Sequence, residues 1–138
     1  MARICKVLVI EDHAGIRAVI GDALGKNGYR FTLFASGQGA REAIETEKHD
    51  IAIIDVPLAN DDAVDLAAFA GDAGMGVILT AADHQAFAAG PGIAHRHLLK
   101  PFQIDQVLRL IDEILRDLAI RCVRSKSRGS SVGSISRG

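Results

Sequence analysis

The sequence predicts a single α/β domain: a five-stranded parallel sheet with helices on both faces. Three observations predict it. Short apolar runs alternate five times with longer segments of helical period. The runs at 4–10, 51–55 and 76–80 are almost continuously apolar, as strands covered on both faces must be. A chain of 138 residues is long enough for one hydrophobic core and too short for two. Alternating strand and helix units in one domain imply parallel pairing through right-handed crossovers.

The first strand lies in "RICKVLVI". A helix follows at about 14–27, with Ile16, Val19, Ile20, Ala23 and Leu24 as its apolar positions, and stops at "KNGY", where Gly28 can adopt a left-handed conformation. The second strand, Phe31 to Ala35 within "RFTLFA", is more mixed and suits a place nearer an edge. A second helix at about 38–48 leads into "DIAIIDV", the third strand, and a third helix at about 62–73 leads into "GVILT", the fourth. The fourth helix, at about 83–89, is the poorest, because "ADHQAFAAGPG" runs quickly into Gly90, Pro91 and Gly92. "HRHLLK" is the fifth strand. The fifth helix, 103–120, has the clearest stripe: Ile104, Val107, Leu108, Ile111, Ile114, Leu115 and Leu118. These elements make residues 1–120 the domain and leave 121–138 as a basic tail rich in Ser, Gly and Arg, of flexible composition.

Charge narrows the function. Residues 121–138 hold five basic side chains and no acidic one, which leaves 11 basic against 17 acidic side chains in residues 1–120, a net charge of −6. An acidic body argues against nucleic-acid binding by the folded part. No apolar run approaches the roughly 20 residues that span a bilayer, and the N-terminus lacks the pattern of a secretory signal. The two cysteines, Cys5 and Cys122, sit far apart and make neither a disulfide framework nor a zinc site. A reducing, cytoplasmic setting is the expectation.

In parallel α/β sheets, ligands bind beyond the carboxyl ends of the strands. Strand one ends in Glu11-Asp12, strand three in Asp55, strand four in Thr80 and strand five in Lys100-Pro101. Parallel strands bring these tips to one edge, so three carboxylates, a hydroxyl and an ammonium converge. Crowded carboxylates repel, and a bound Mg²⁺ relieves them. Such a cluster suits phosphoryl transfer to a carboxylate: Asp55 attacks, while the ion, Thr80 and Lys100 stabilise charge on the phosphoryl oxygens. Taken singly, each residue has a plainer reading. Glu11-Asp12 suit the positive end of the first helix, Asp55 a strand-end loop, Thr80 a strand interior and Lys100-Pro101 a surface turn. His95 and His97 alternate as metal ligands can, but no third ligand accompanies them.

In this order and spacing, "VLVIEDHAGIR", "DIAIIDV", "VILTAAD" and "HLLKPF" resemble the response-regulator receiver domains of two-component signalling over about residues 4–120. The resemblance implies the flavodoxin-like (βα)5 fold with strand order 2-1-3-4-5. It implies Asp55 as phosphoacceptor, and Glu11, Asp12, Asp55 and the backbone carbonyl of Pro57 as Mg²⁺ ligands. It makes Thr80 the switch hydroxyl and Lys100 its ionic partner. The family usually carries Tyr or Phe three places before the lysine, where this chain has His97; an imidazole there makes the switch position sensitive to pH. The loop "DVPLANDDA" also departs, with Ala59 at the usual proline and Ala63 at the usual glycine. Pro57 and Ala82, the positions flanking the phosphoryl group in this family, cannot orient a hydrolytic water, so a long-lived phosphoryl group is expected.

The implied partners are a histidine kinase or histidine phosphotransfer protein as donor and a downstream protein on the face of the fourth helix, fifth strand and fifth helix. Neither direct DNA binding nor a membrane is implied, and a homodimer is compatible. The expected role is a stand-alone, non-enzymatic receiver that catalyses only its own phosphorylation and dephosphorylation, as a signalling module or as a phosphate sink or shuttle. A degenerate receiver acting as a constitutive binding module is the alternative. A small aspartyl-phosphate phosphatase would need an acid where Pro57 stands, and a nucleotide-binding module would need a phosphate loop where "EDHAGIR" presents carboxylates.

Overall fold

The computed structural model describes residues 5–56, 61–83 and 96–125 (for 61, 62 and 119–125, the backbone only). Along the chain run β1 (Lys6–Ile10), α1 (Ala14–Lys26), β2 (Arg30–Phe34), α2 (Ala40–Thr46), β3 (Ile51–Asp55), α3 (Asp61–Asp72), β4 (Gly76–Ala81), β5 (Arg96–Leu99) and α4 (Ile104–Ser125). Here α4 is the fifth helix of the sequence pattern; the candidate at 83–89 lies, apart from Asp83, outside the described residues. All strand pairs are parallel, in the order β2-β1-β3-β4-β5. This is the flavodoxin-like arrangement.

Alternation along the strands sorts the core into two layers. Leu8, Ile10, Ala52, Ile54, Val77 and Leu79 pack with Ile44 of α2 and Leu66 of α3 on one face of the sheet. Val7, Val9, Ile51, Ile53, Ile78 and Leu98 pack on the other with Ile20 and Leu24 of α1 and Val107, Ile111 and Ile114 of α4. Burial on both faces explains the uninterrupted apolar runs of β1, β3 and β4. Among the described residues the mixed β2 pairs only with β1, at an edge, and it leaves Phe31 partly exposed.

Helix boundaries follow local chemistry. The His13 imidazole caps α1, its Nδ1 accepting from the Ile16 N–H at 3.2 Å. Gly28, at φ +84°, lets the chain turn out of the helix, with the Tyr29 N–H returning to the Leu24 carbonyl. Val19, placed on the α1 stripe by its sequence position, is 58% exposed. The Ile20–Leu24 row faces the sheet, and Val19 sits about 100° around the helix from Ile20. The helix expected from residue 38 begins at Ala40, because Gly39 before it takes φ +86°, outside helical space. Finally, α4 continues to Ser125, five residues beyond the expected end at 120. No described helix is long and apolar enough to cross a membrane.

Candidate functional site

Strand alternation also aims the polar residues. Glu11 keeps step with Val7 and Val9, Asp55 with Ile51 and Ile53, Thr80 with Ile78, and Lys100 with Leu98. All four therefore continue the face that packs on α1 and α4, one step beyond its apolar rows. Backbone pairing extends past the strands to hold them there: Glu11 N–H donates to the Phe34 carbonyl at 3.0 Å, Val56 N–H to Thr80 at 2.7 Å and Lys100 N–H to Ala81 at 2.8 Å. The Lys100–Pro101 peptide is cis.

The Lys100 side chain turns inward. Its Nζ lies 2.9 Å from Asp55 Oδ1 and 3.3 Å from Glu11 Oε2. The Thr80 hydroxyl, almost fully buried, donates to the same Asp55 oxygen at 3.4 Å. Glu11 Oε2 also accepts the His13 backbone N–H at 3.1 Å. Asp12, in the opposite alternation, is exposed and lines a cleft of about 640 Å³ with Asp55, Ser36, Gln38 and Arg41.

One ammonium does not balance three carboxylates. Oxygens of Glu11, Asp12 and Asp55 lie within 4.8 Å of one another. At that separation two unit charges repel by roughly 3 kcal/mol at an effective dielectric of about 20, less where solvent screens exposed Asp12. Burial pushes the Glu11 carboxyl above its ordinary pKa; the His13 N–H opposes this, Asp55 adds to it and Lys100 opposes it. Burial alone would lower the Lys100 pKa, but Asp55 and Glu11 raise it above the ordinary value, so the amine stays charged.

The donor set fits a hard divalent cation. Three carboxylates supply only oxygen, the ligand Mg²⁺ prefers, and Mg²⁺ keeps several waters rather than demanding a full protein cage. Oxygens within 4.8 Å of one another suit an ion held directly by one or two carboxylates and through water by the rest.

Of the other predicted positions, His97 is exposed on β5 and alternates with buried Leu98, so it belongs to the sheet face opposite Thr80 and Lys100. Ala82 is exposed beyond β4. Pro57, Ala59 and His95 lie outside the described residues. Two contributors escaped sequence reasoning. His13 stabilises both α1 and Glu11, although imidazole is not among the favoured helix caps. Arg17, which reads as an ordinary polar helix position, donates Nη1 to the Glu11 carbonyl at 2.8 Å and, more weakly, to that of Asp12 at 3.5 Å.

Residues 7–112 match the family described as the response regulator receiver domain. The transcriptional regulatory protein PdtaR of Mycobacterium tuberculosis is 32% identical over 112 residues, which cover 78% of this chain and 55% of that protein. The chain thus spans about half the length of the curated relatives it matches. Among solved structures, a response regulator receiver protein from Sinorhizobium medicae superposes with a TM-score of 0.76 at 19% identity, covering 83% of this chain and 97% of that one. The response regulator TrrA of Thermotoga maritima, in complex with Mg(2+)-BeF, superposes with a TM-score of 0.66 at 18% identity, covering 80% and 99%. The family match over most of the chain places this protein among the response regulator receiver domains of two-component systems.

Proposed function

We propose that Asp55 accepts a phosphoryl group from a histidine kinase or histidine phosphotransfer protein. An Asp55 carboxylate oxygen forms the new P–O bond as the donor's P–N bond breaks, and the electron pair leaves on the imidazole nitrogen. The observation that carries this reading is the 2.9 Å approach of Lys100 Nζ to Asp55 Oδ1, with the Thr80 hydroxyl on the same oxygen. The two donors converge on the atom beside which phosphoryl charge would develop. Glu11, Asp12 and Asp55 would hold Mg²⁺, which supplies charge neutralisation at the phosphoryl oxygens. The Mg(2+)-BeF complex of the Thermotoga protein supports that assignment.

Thr80 and His97 would carry the consequence outward: the buried hydroxyl follows the phosphoryl group, and the exposed imidazole alters the surface offered to a downstream partner. A homodimer is compatible with this output, and a phosphate sink or shuttle needs no output. Residues 126–138 of the basic tail lie outside the described residues.

The test is incubation with Mg²⁺ and an acyl phosphate, followed by intact-mass measurement. A gain of one phosphoryl group in the natural sequence and none in Asp55→Asn is expected; a gain in neither, or donor turnover without retained label, overturns the reading. With Ala82 unable to orient water, the label should also outlast that of Ala82→Asn several-fold. Equal lifetimes would remove this part of the proposal.

A further inference from the structure

Two of the three clustered carboxylates hang on a short connection. Glu11 makes its last ladder contact to Phe34, and α1 begins at Ala14, so Asp12 and His13 belong to neither element. Repulsion among Glu11, Asp12 and Asp55 works to push this connection away from β3. The Arg17 guanidinium resists that from behind. Its backbone is fixed in the first turns of α1, with N–H donating to the His13 carbonyl at 2.9 Å, and its side chain reaches back to the carbonyls of Glu11 and Asp12. Among the described residues the guanidinium bonds carbonyl oxygens and forms no ion pair. Its charge therefore strengthens hydrogen bonds to the loop backbone rather than neutralising an acid.

We infer that Arg17 is a positioning residue for the cation site: it clamps the connection after β1 so that the Glu11 and Asp12 carboxylates face Asp55. This rests on the reading of those acids as Mg²⁺ ligands. The inference has a sign that simple electrostatics does not share. If Arg17 acted only as a nearby positive charge, removing it would tighten Mg²⁺ binding, because a cation repels a cation. If it positions the ligands, removing it weakens binding.

The experiment titrates Mg²⁺ into the full chain by calorimetry, comparing the natural sequence with Arg17→Met, which keeps the stem but loses the donors, and Arg17→Lys, which restores one charged donor. Arg17→Met should bind Mg²⁺ about tenfold more weakly, about 1.4 kcal/mol, with Arg17→Lys recovering most of the loss. Asp55 phosphorylation in Arg17→Met should return to the natural rate at saturating Mg²⁺. Unchanged or tighter binding in Arg17→Met, with unfolding midpoints showing that it is folded, overturns the inference alone. Should Arg17→Met not fold, Arg17→Gln, which loses the charge but keeps an amide donor, decides: weaker Mg²⁺ binding than in the natural chain supports the clamp, and unchanged or tighter binding overturns it. A natural chain that binds no Mg²⁺ overturns the functional reading and this inference together.

Discussion

Glu11 shows what the site demands of the fold. Its side chain is 2% exposed beside a second carboxylate, and burial holds its pKa above the ordinary 4.5. The folded state therefore binds its proton more tightly than the unfolded chain does. As pH rises from 4.5 through the raised value, ionisation removes stability rather than adding it. Lys100 behaves oppositely: with its pKa raised above 10.5, its contribution is present below that value and is lost only as pH climbs through the folded-state pKa. The fold thus disfavours ionisation of Glu11 within the cluster. Glu11→Gln removes that burden while keeping the shape, so its thermal midpoint at pH 7 without divalent cations should rise by a few degrees. Added Mg²⁺ should then stabilise the natural chain more than the variant. A lower midpoint in Glu11→Gln would show that the pairing with Lys100 outweighs burial.

At the scale of elements, the contact between β4 and α4 fixes how close that helix approaches the sheet. Gly76 opens β4 directly beneath Ile114 of α4, and a Cβ built on it would clash with Ile114 Cγ2. No rotamer of alanine relieves such an overlap, since the methyl is placed by the backbone, so Ile114 or the strand must move. Gly76→Ala should destabilise the protein by about 1–3 kcal/mol, the usual range for overpacking, measured as a lower midpoint in chemical denaturation. Removing the opposing methyl in Ile114→Ala leaves a cavity of its own. In the double variant, however, the new methyl occupies part of that cavity, so the two losses should sum to less than their separate values. Strict additivity would mean that the helix retreats freely and that Gly76 is not needed for its approach.

The whole molecule shows which features a sequence displays and which it hides. Strands covered on both faces must be apolar throughout, so β1, β3 and β4 were legible as unbroken runs, and β2 betrayed its edge by its mixed composition. The clustering of Glu11, Asp12, Asp55, Thr80 and Lys100 was legible because parallel strands gather their carboxyl ends at one edge. The clamp by Arg17, the imidazole cap at His13, the left-handed Gly39 and the overlap at Gly76 were not legible, because each depends on how a backbone or side chain folds back on its neighbours. The same architecture grades stability. β1, β3 and β4 have bonded neighbours on both sides and nearly complete burial, whereas β2 and β5 each have one bonded neighbour among the described residues. Amides in the three central strands should exchange with solvent only when the whole domain unfolds, and those of β2 and β5 through smaller openings. A cation that binds only the folded domain stabilises it against global unfolding by about 2.7 kcal/mol at about 100 times its dissociation constant. Mg²⁺ at that level should slow exchange about 100-fold in β1, β3 and β4 while leaving local openings at the outer edges of β2 and β5 little changed. Slowing confined to the residues around Asp55 would instead show that the cation orders only the loops it touches and is not coupled to the stability of the domain.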